Sequence, residues 1–249
     1  MAVFSSFLSW YYVAAGCYAG SLLFFLTKRH RTALGLLWLG VAAHSAALVC
    51  RGFSFGIFTP MNIFTELYFL PWLVAVFTLV RCLPRGSTAK AQHLLAPLSL
   101  LTFLALPLPS QLLPPFLLSD SVFATIFFIF EVAAHAAFLL AAWFGFLFLM
   151  HRTGEQTFNR CATWGFILYS VAQVSGAVWC YLGWTVPFSW SERHLVSAAI
   201  WCFYCAYLHL QFSPRWTVRQ KAWFALCGGT LVTISIYAYY LASSGGKNV

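Results

Sequence analysis

The stretch VFATIFFIFEVAAHAAFLLAAWFGFLFLM, residues 122–150, contains only two ionisable side chains, Glu131 and His135. An apolar helix of about 20 residues already crosses the hydrocarbon of a bilayer, and this run is longer. Comparable runs lie at about 6–27, 33–51, 63–82, 93–110, 161–183, 194–213 and 221–242. Eight such runs with short connectors predict an all-α, polytopic membrane bundle of about eight transmembrane helices. A membrane barrel would need shorter strands of alternating polarity, which these runs do not offer. No repeat, glycine-rich phosphate loop or linker interrupts the pattern, so residues 1–249 read as one integral membrane domain.

Composition agrees. Of 249 residues, 61% are hydrophobic, 8% charged and 19% aromatic, more apolar surface than a soluble domain of this size can hide. The net charge of +9 sits in the connectors, which marks it as a topology determinant and not a nucleic-acid surface. Lys28, Arg29 and Arg31 occupy the first connector; Arg81, Arg85 and Lys90 the third. Arg152 and Arg160 fall in the fifth, and Arg215, Arg219 and Lys221 in the seventh. The even connectors hold Arg51 at an edge, then none, then Arg193. Odd connectors are therefore expected in the cytoplasm and both termini outside, in a bacterial inner membrane. Residues 1–10 lack a basic leader region and read as the start of the first helix. Leu106–Pro115 holds four prolines and reads as an irregular surface stretch. The eight cysteines are scattered, mostly inside apolar runs, and form no extramembrane disulfide framework.

Ionisable groups inside apolar runs are costly, so each is a functional candidate. These are His44, His135, His209, Glu66 and Glu131, whereas His30, His93, His151 and His194 fall at helix ends or in connectors. At a rise of about 1.5 Å per residue, His44 lies about 17 Å, His135 about 22 Å and His209 about 6 Å from the cytoplasmic ends of their helices. Two histidines at similar depth on different helices could supply both axial nitrogens of a haem b. The plainer reading is that each imidazole hydrogen-bonds a neighbouring helix. Three intramembrane histidines in one small chain favour haem, with His44, His135 and His209 as candidate iron ligands. Glu131 and His135, spaced i, i+4, share a helix face. The carboxylate could orient the imidazole or relay protons, or the two could simply neutralise each other. Cys202, Cys205 and His209 also share a face, where packing thiols are the simpler reading.

One further segment carries a resemblance. It comprises Ser175-Gly-Ala-Val-Trp179, Trp184-Thr-Val-Pro-Phe-Ser-Trp190-Ser-Glu-Arg-His194, Trp201 and Tyr207-Leu-His209. This resembles the tryptophan-rich haem-handling segment of CcsA-type cytochrome c biogenesis proteins. There, an external Trp-Gly-x-x-Trp-x-Trp-Asp loop precedes a helix ending Tyr-Leu-His. Trp184 and Trp190 match two of the tryptophans, Phe188 stands at the third, and His209 takes the place of the transmembrane histidine. Upstream, His44 to Arg51, Asn62 to Glu66 and Glu131 to His135 look like further stretches of that family. The resemblance implies haem handling, with Trp184, Phe188 and Trp190 as a stacking platform and Arg51 as a candidate for the propionates. Without it, those rings read as an interfacial aromatic belt.

The departures are definite. Ser191 replaces the motif aspartate, and no histidine stands near Ala242–Gly245, where the family has its second external one. The chain falls between the synthetases and their HemX-like and YpjD-like relatives. Cytochrome c maturation or haem delivery within a larger assembly is the first expectation. The second is a haem b electron-transfer subunit between membrane quinone and an external cytochrome or other redox partner. The third is a haem-free anchor or assembly protein.

Overall fold

The computed structural model describes residues 2–56, 58–60, 63–82, 92–106, 121–151 and 157–245. All regular structure among them is helical: α1 (Ala2–Leu26), α2 (His30–Phe55), α3 (Ile63–Cys82), a 3-10 turn (Gln92–Leu94) and α4 (Leu95–Ala105). α5 (Val122–His151), α6 (Thr157–Trp184), α7 (Glu192–Gln211) and α8 (Val218–Gly245) follow. Each predicted run overlaps one of these helices among the described residues. Five segments, Phe7–Leu26, His30–Ser54, Val122–Met150, Thr157–Trp184 and Val218–Ala238, are long and apolar enough to cross a membrane. By helix length and composition, the chain is an integral membrane protein. Its outward faces agree, since Leu23, Trp164 and Leu231 are all more than half exposed, as lipid-facing side chains are.

The runs on α3, α4 and α7 are not among these five. A crossing over 93–110 was expected, but α4 has 11 residues, about 16 Å, too short for hydrocarbon about 30 Å thick. Residues 107–110, much of the proline-rich stretch, and the connector charges Arg85, Lys90 and Arg152 lie outside the described residues.

Helix ends have local causes. The last turn of α1 closes with Lys28 N–H to Phe25 O (2.9 Å) and Arg29 N–H to Phe24 O (2.8 Å), a Schellman pair. Lys28 occupies the left-handed position at φ 61°, which glycine usually fills. α2 ends conventionally, on Gly56 at φ 68°.

The helices gather into two compact units, Met1–Leu113 and Pro114–Val249. In the first, α1 packs along α2, while α3 and α4 complete the group around Phe7, Tyr11, Ala47, Leu48, Tyr68 and Ala105. In the second, α5 is central, packed along α6 and α8, with α7 against α6 and α8. Glycine permits the close α5–α8 approach. A Cβ on Gly145 would lie 2.8 Å from the Ala222 carbonyl oxygen, and one on Gly229 would overlap the Phe138 carbonyl oxygen. Small residues allowing backbone contact are how helices associate in lipid, where no hydrophobic drive separates protein from solvent.

Candidate functional site

His44 is fully buried in the first unit. Its Nε2 lies 3.0 Å from the carbonyl oxygen of Tyr68, which can only accept, so the proton is on Nε2. Nδ1 is then the acceptor, and the Tyr18 hydroxyl donates to it at 3.2 Å. The bond crosses between helices: Pro71 inside α3 offers no N–H to the Leu67 carbonyl, and His44 donates to the next carbonyl along, that of Tyr68, tying α2 to α3. Trp72 adds a second brace, its Nε1–H donating to Ser45 Oγ of α2 at 2.9 Å. Glu66 is buried in the first turn of α3, and Arg51 is half-buried near the end of α2.

In the second unit Glu131 and His135 are both buried on α5. The carboxylate of Glu131 receives Arg193 Nη2 at 3.2 Å, from the first turn of α7. The guanidinium also lies over the rings of Phe127 (5.5 Å) and Phe128 (5.6 Å). Those rings meet Trp179, at 6.1 and 5.7 Å, and Trp179 meets Trp184 edge-on at 5.5 Å. The His135 ring lies 5.7 Å from that of Tyr169. The i, i+4 spacing drew attention to His135, but the salt bridge of Glu131 goes to Arg193, 62 residues away.

The loop after α6 follows from its first residue. Thr185 has φ 60°, where a β-branched residue is strained, and its N–H caps the helix on Tyr181 O at 2.9 Å. The tryptophan-rich pattern that the segment resembles has glycine here. Beyond it, Trp184, Phe188 and Trp190 are 49%, 44% and 84% exposed, so they form an outward aromatic surface and no part of the core. His194 ties the loop down. Its Nδ1 is 2.9 Å from Ser189 Oγ and 2.8 Å from Ser191 Oγ, its Nε2 is 3.7 Å from Cys180 Sγ, and its ring stands edge-on to Phe188 at 5.4 Å. Ser191, which replaces the pattern's aspartate, thus serves as a hydrogen-bond partner of His194.

Tyr207 and His209 separate by helical geometry. The Tyr207 hydroxyl, buried, donates to Asn159 Oδ1 at 2.5 Å and pins the end of α7 to the start of α6. Two residues further is about 200° around the helix. His209 therefore faces away, and its side chain is exposed. Its Nδ1 lies 2.8 Å from the Cys205 carbonyl oxygen, so Nδ1 carries the proton and donates. Nε2 keeps its lone pair, with no hydrogen-bond partner among the described residues. Cys205 Sγ is 3.9 Å from Nδ1 and Cys202 is exposed on the same side. No cluster of three or more metal-ligating side chains occurs among the described residues.

No protein-family model matches the chain, and no curated protein matches it. The reading of the site therefore rests on its own chemistry. Haem iron needs an imidazole nitrogen with a free lone pair. His44 as placed does not fit, because both of its ring nitrogens are hydrogen-bonded within the core. His209 does fit, since ligating histidines characteristically donate one N–H to a carbonyl and turn the other nitrogen outward.

Proposed function

We propose that this chain is a haem-binding membrane protein related in design to the CcsA type, acting in cytochrome c maturation or haem delivery as a subunit of a larger complex. The observation that carries the reading is His209, an exposed imidazole on an apolar helix whose tautomer is fixed by the Cys205 carbonyl and whose Nε2 is open. Two residues from the end of α7, this nitrogen is accessible to a ligand. Bound haem would supply a redox-active iron or the macrocycle to be passed on. The residues of this chain would do two things at the two ends of α7, about 26 Å apart. His209 would hold an iron at one end, and Trp184, Phe188 and Trp190 would offer a separate exposed stacking surface at the other, where Arg193, paired with Glu131, anchors the helix start. His135, about 16 Å from the level of His209, remains a candidate ligand only for a separate iron. The second ligand at His209 would come from a partner chain, and His44 becomes a structural residue.

The cationic connectors support a topology with Lys28, Arg29, Arg31, Arg215, Arg219 and Lys221 in the cytoplasm and both termini outside, in a bacterial inner membrane. The aromatic loop then lies on the outer face, where apocytochromes mature. The test is reconstitution of the purified chain with haem, followed by exposure to a quinol analogue or to an apocytochrome peptide. Haem released to the peptide supports delivery. Rapid reduction by quinol, with haem retained, would favour an electron-transfer subunit instead. Failure to take up haem would leave the anchor reading.

A further inference from the structure

The end of α7, the connector and the start of α8 form a rigid cationic corner in the second unit. Lys221 Nζ donates to the Gln211 carbonyl at 2.8 Å, which closes the end of α7. Thr217 and Gln220 cap α8 reciprocally: Thr217 N–H donates to Gln220 Oε1 (2.8 Å) and Gln220 N–H to Thr217 Oγ1 (3.3 Å). Trp216 packs edge-on to Phe224 at 4.9 Å. Arg215 and Arg219 take no part in these contacts; both are exposed, and no carboxylate pairs with either among the described residues. No acidic side chain occurs anywhere from Arg193 to Val249, so a counter-charge must come from outside this stretch.

The exposed side of α8 continues from Arg219 in a fixed order: Trp223, Cys227, Leu231 and Ile234, all exposed. Their spacing keeps them within about a third of the helix circumference. Charge comes first, then an amphipathic ring, then aliphatic side chains. From Arg219 to Leu231 is about 18 Å, close to the half-thickness of a bilayer from its headgroups to its midplane, about 20 Å. A phospholipid has the same order over the same distance. We propose that this side of α8 binds one anionic phospholipid, its phosphate held by Arg215 and Arg219 and an acyl chain lying along Trp223, Cys227 and Leu231. Two arginines with no carboxylate paired to them among the described residues favour an anionic headgroup over a zwitterionic one.

The test uses the full chain in nanodiscs of equimolar phosphatidylglycerol and phosphatidylcholine, extracted in mild detergent, with co-purifying lipid counted by mass spectrometry. The wild-type chain should retain phosphatidylglycerol in excess. Arg215→Gln and Arg219→Gln should each lower that preference about fivefold, and the double variant about twenty-five-fold. Both arginines are exposed, so helix content should be unchanged; were the double variant to lose it, the two single variants decide. Lys28→Gln with Arg29→Gln, in the other unit, should leave the preference intact. Equal retention of the two lipids by wild type, or an unchanged preference in the arginine variants, would overturn the proposal. So would an equal loss in the Lys28/Arg29 control, or displacement of the lipid by free glycerol phosphate.

Discussion

Replacing His44 by alanine separates a structural histidine from an iron ligand. The substitution strands the Tyr18 hydroxyl, which donates to Nδ1 at 3.2 Å, and the Tyr68 carbonyl, which accepts from Nε2 at 3.0 Å, both in the buried core. A buried polar group left without its partner costs about 1–3 kcal/mol. Loss of the ring, edge-on to Tyr11 at 5.1 Å, adds a cavity contribution. The expected destabilisation is about 3–5 kcal/mol. Tyr18→Phe removes only the donor to Nδ1 and should cost about 1–2 kcal/mol. Because the two residues share one hydrogen bond, the double variant should fall short of the sum of the singles. Unfolding in detergent micelles, followed by far-UV circular dichroism across a denaturant series, gives all three values. The folded fraction of His44→Ala should keep whatever haem absorbance the wild type has. A loss of stability below about 1 kcal/mol would refute the brace, and a folded but colourless His44→Ala would refute its structural assignment.

Two other substitutions probe the second unit. Glu131→Ala leaves Arg193 beside Phe127 and Phe128 with no carboxylate, and should destabilise by about 1–3 kcal/mol, less than a fully buried pair because Arg193 is a third exposed. Glu131→Ala combined with Arg193→Met should recover most of that loss in the same unfolding assay; no recovery would mean that the pair is not the source. Thr185→Gly relieves a left-handed backbone that costs a β-branched residue about 1–2 kcal/mol, offset by glycine's extra unfolded-state freedom of about 0.5–1 kcal/mol. A small net stabilisation should appear as a higher thermal midpoint, and a lower one would contradict the strain.

The fold was largely legible because membrane helices announce themselves by length and apolarity. The runs at 122–150 and 161–183 fall on α5 and α6 within a few residues of their ends. The fourth run, which contains Pro97 and Pro107, reads as apolar over 93–110, whereas α4 is 11 residues long. The candidate site was legible in part. Residue type singled out His44, His135 and His209, yet type alone could not show that His44 is consumed by the Tyr18 hydroxyl and the Tyr68 carbonyl, which come from two other helices. Arg193 was passed over as a connector charge; its partner Glu131 lies 62 residues earlier, a distance that no local pattern reports. Residue type and the Tyr-Leu-His pattern both point to His209, and the structure adds its tautomer and its outward face.

The central claim is that the open nitrogen of His209 holds iron. The direct measurement is the visible spectrum of the purified full-length chain, oxidised and then reduced with dithionite, beside that of His209→Ala. The account predicts a Soret band that shifts on reduction in the wild-type chain and is lost or displaced in His209→Ala, with helix content unchanged. A colourless wild-type chain, or an identical spectrum in the variant, would contradict it.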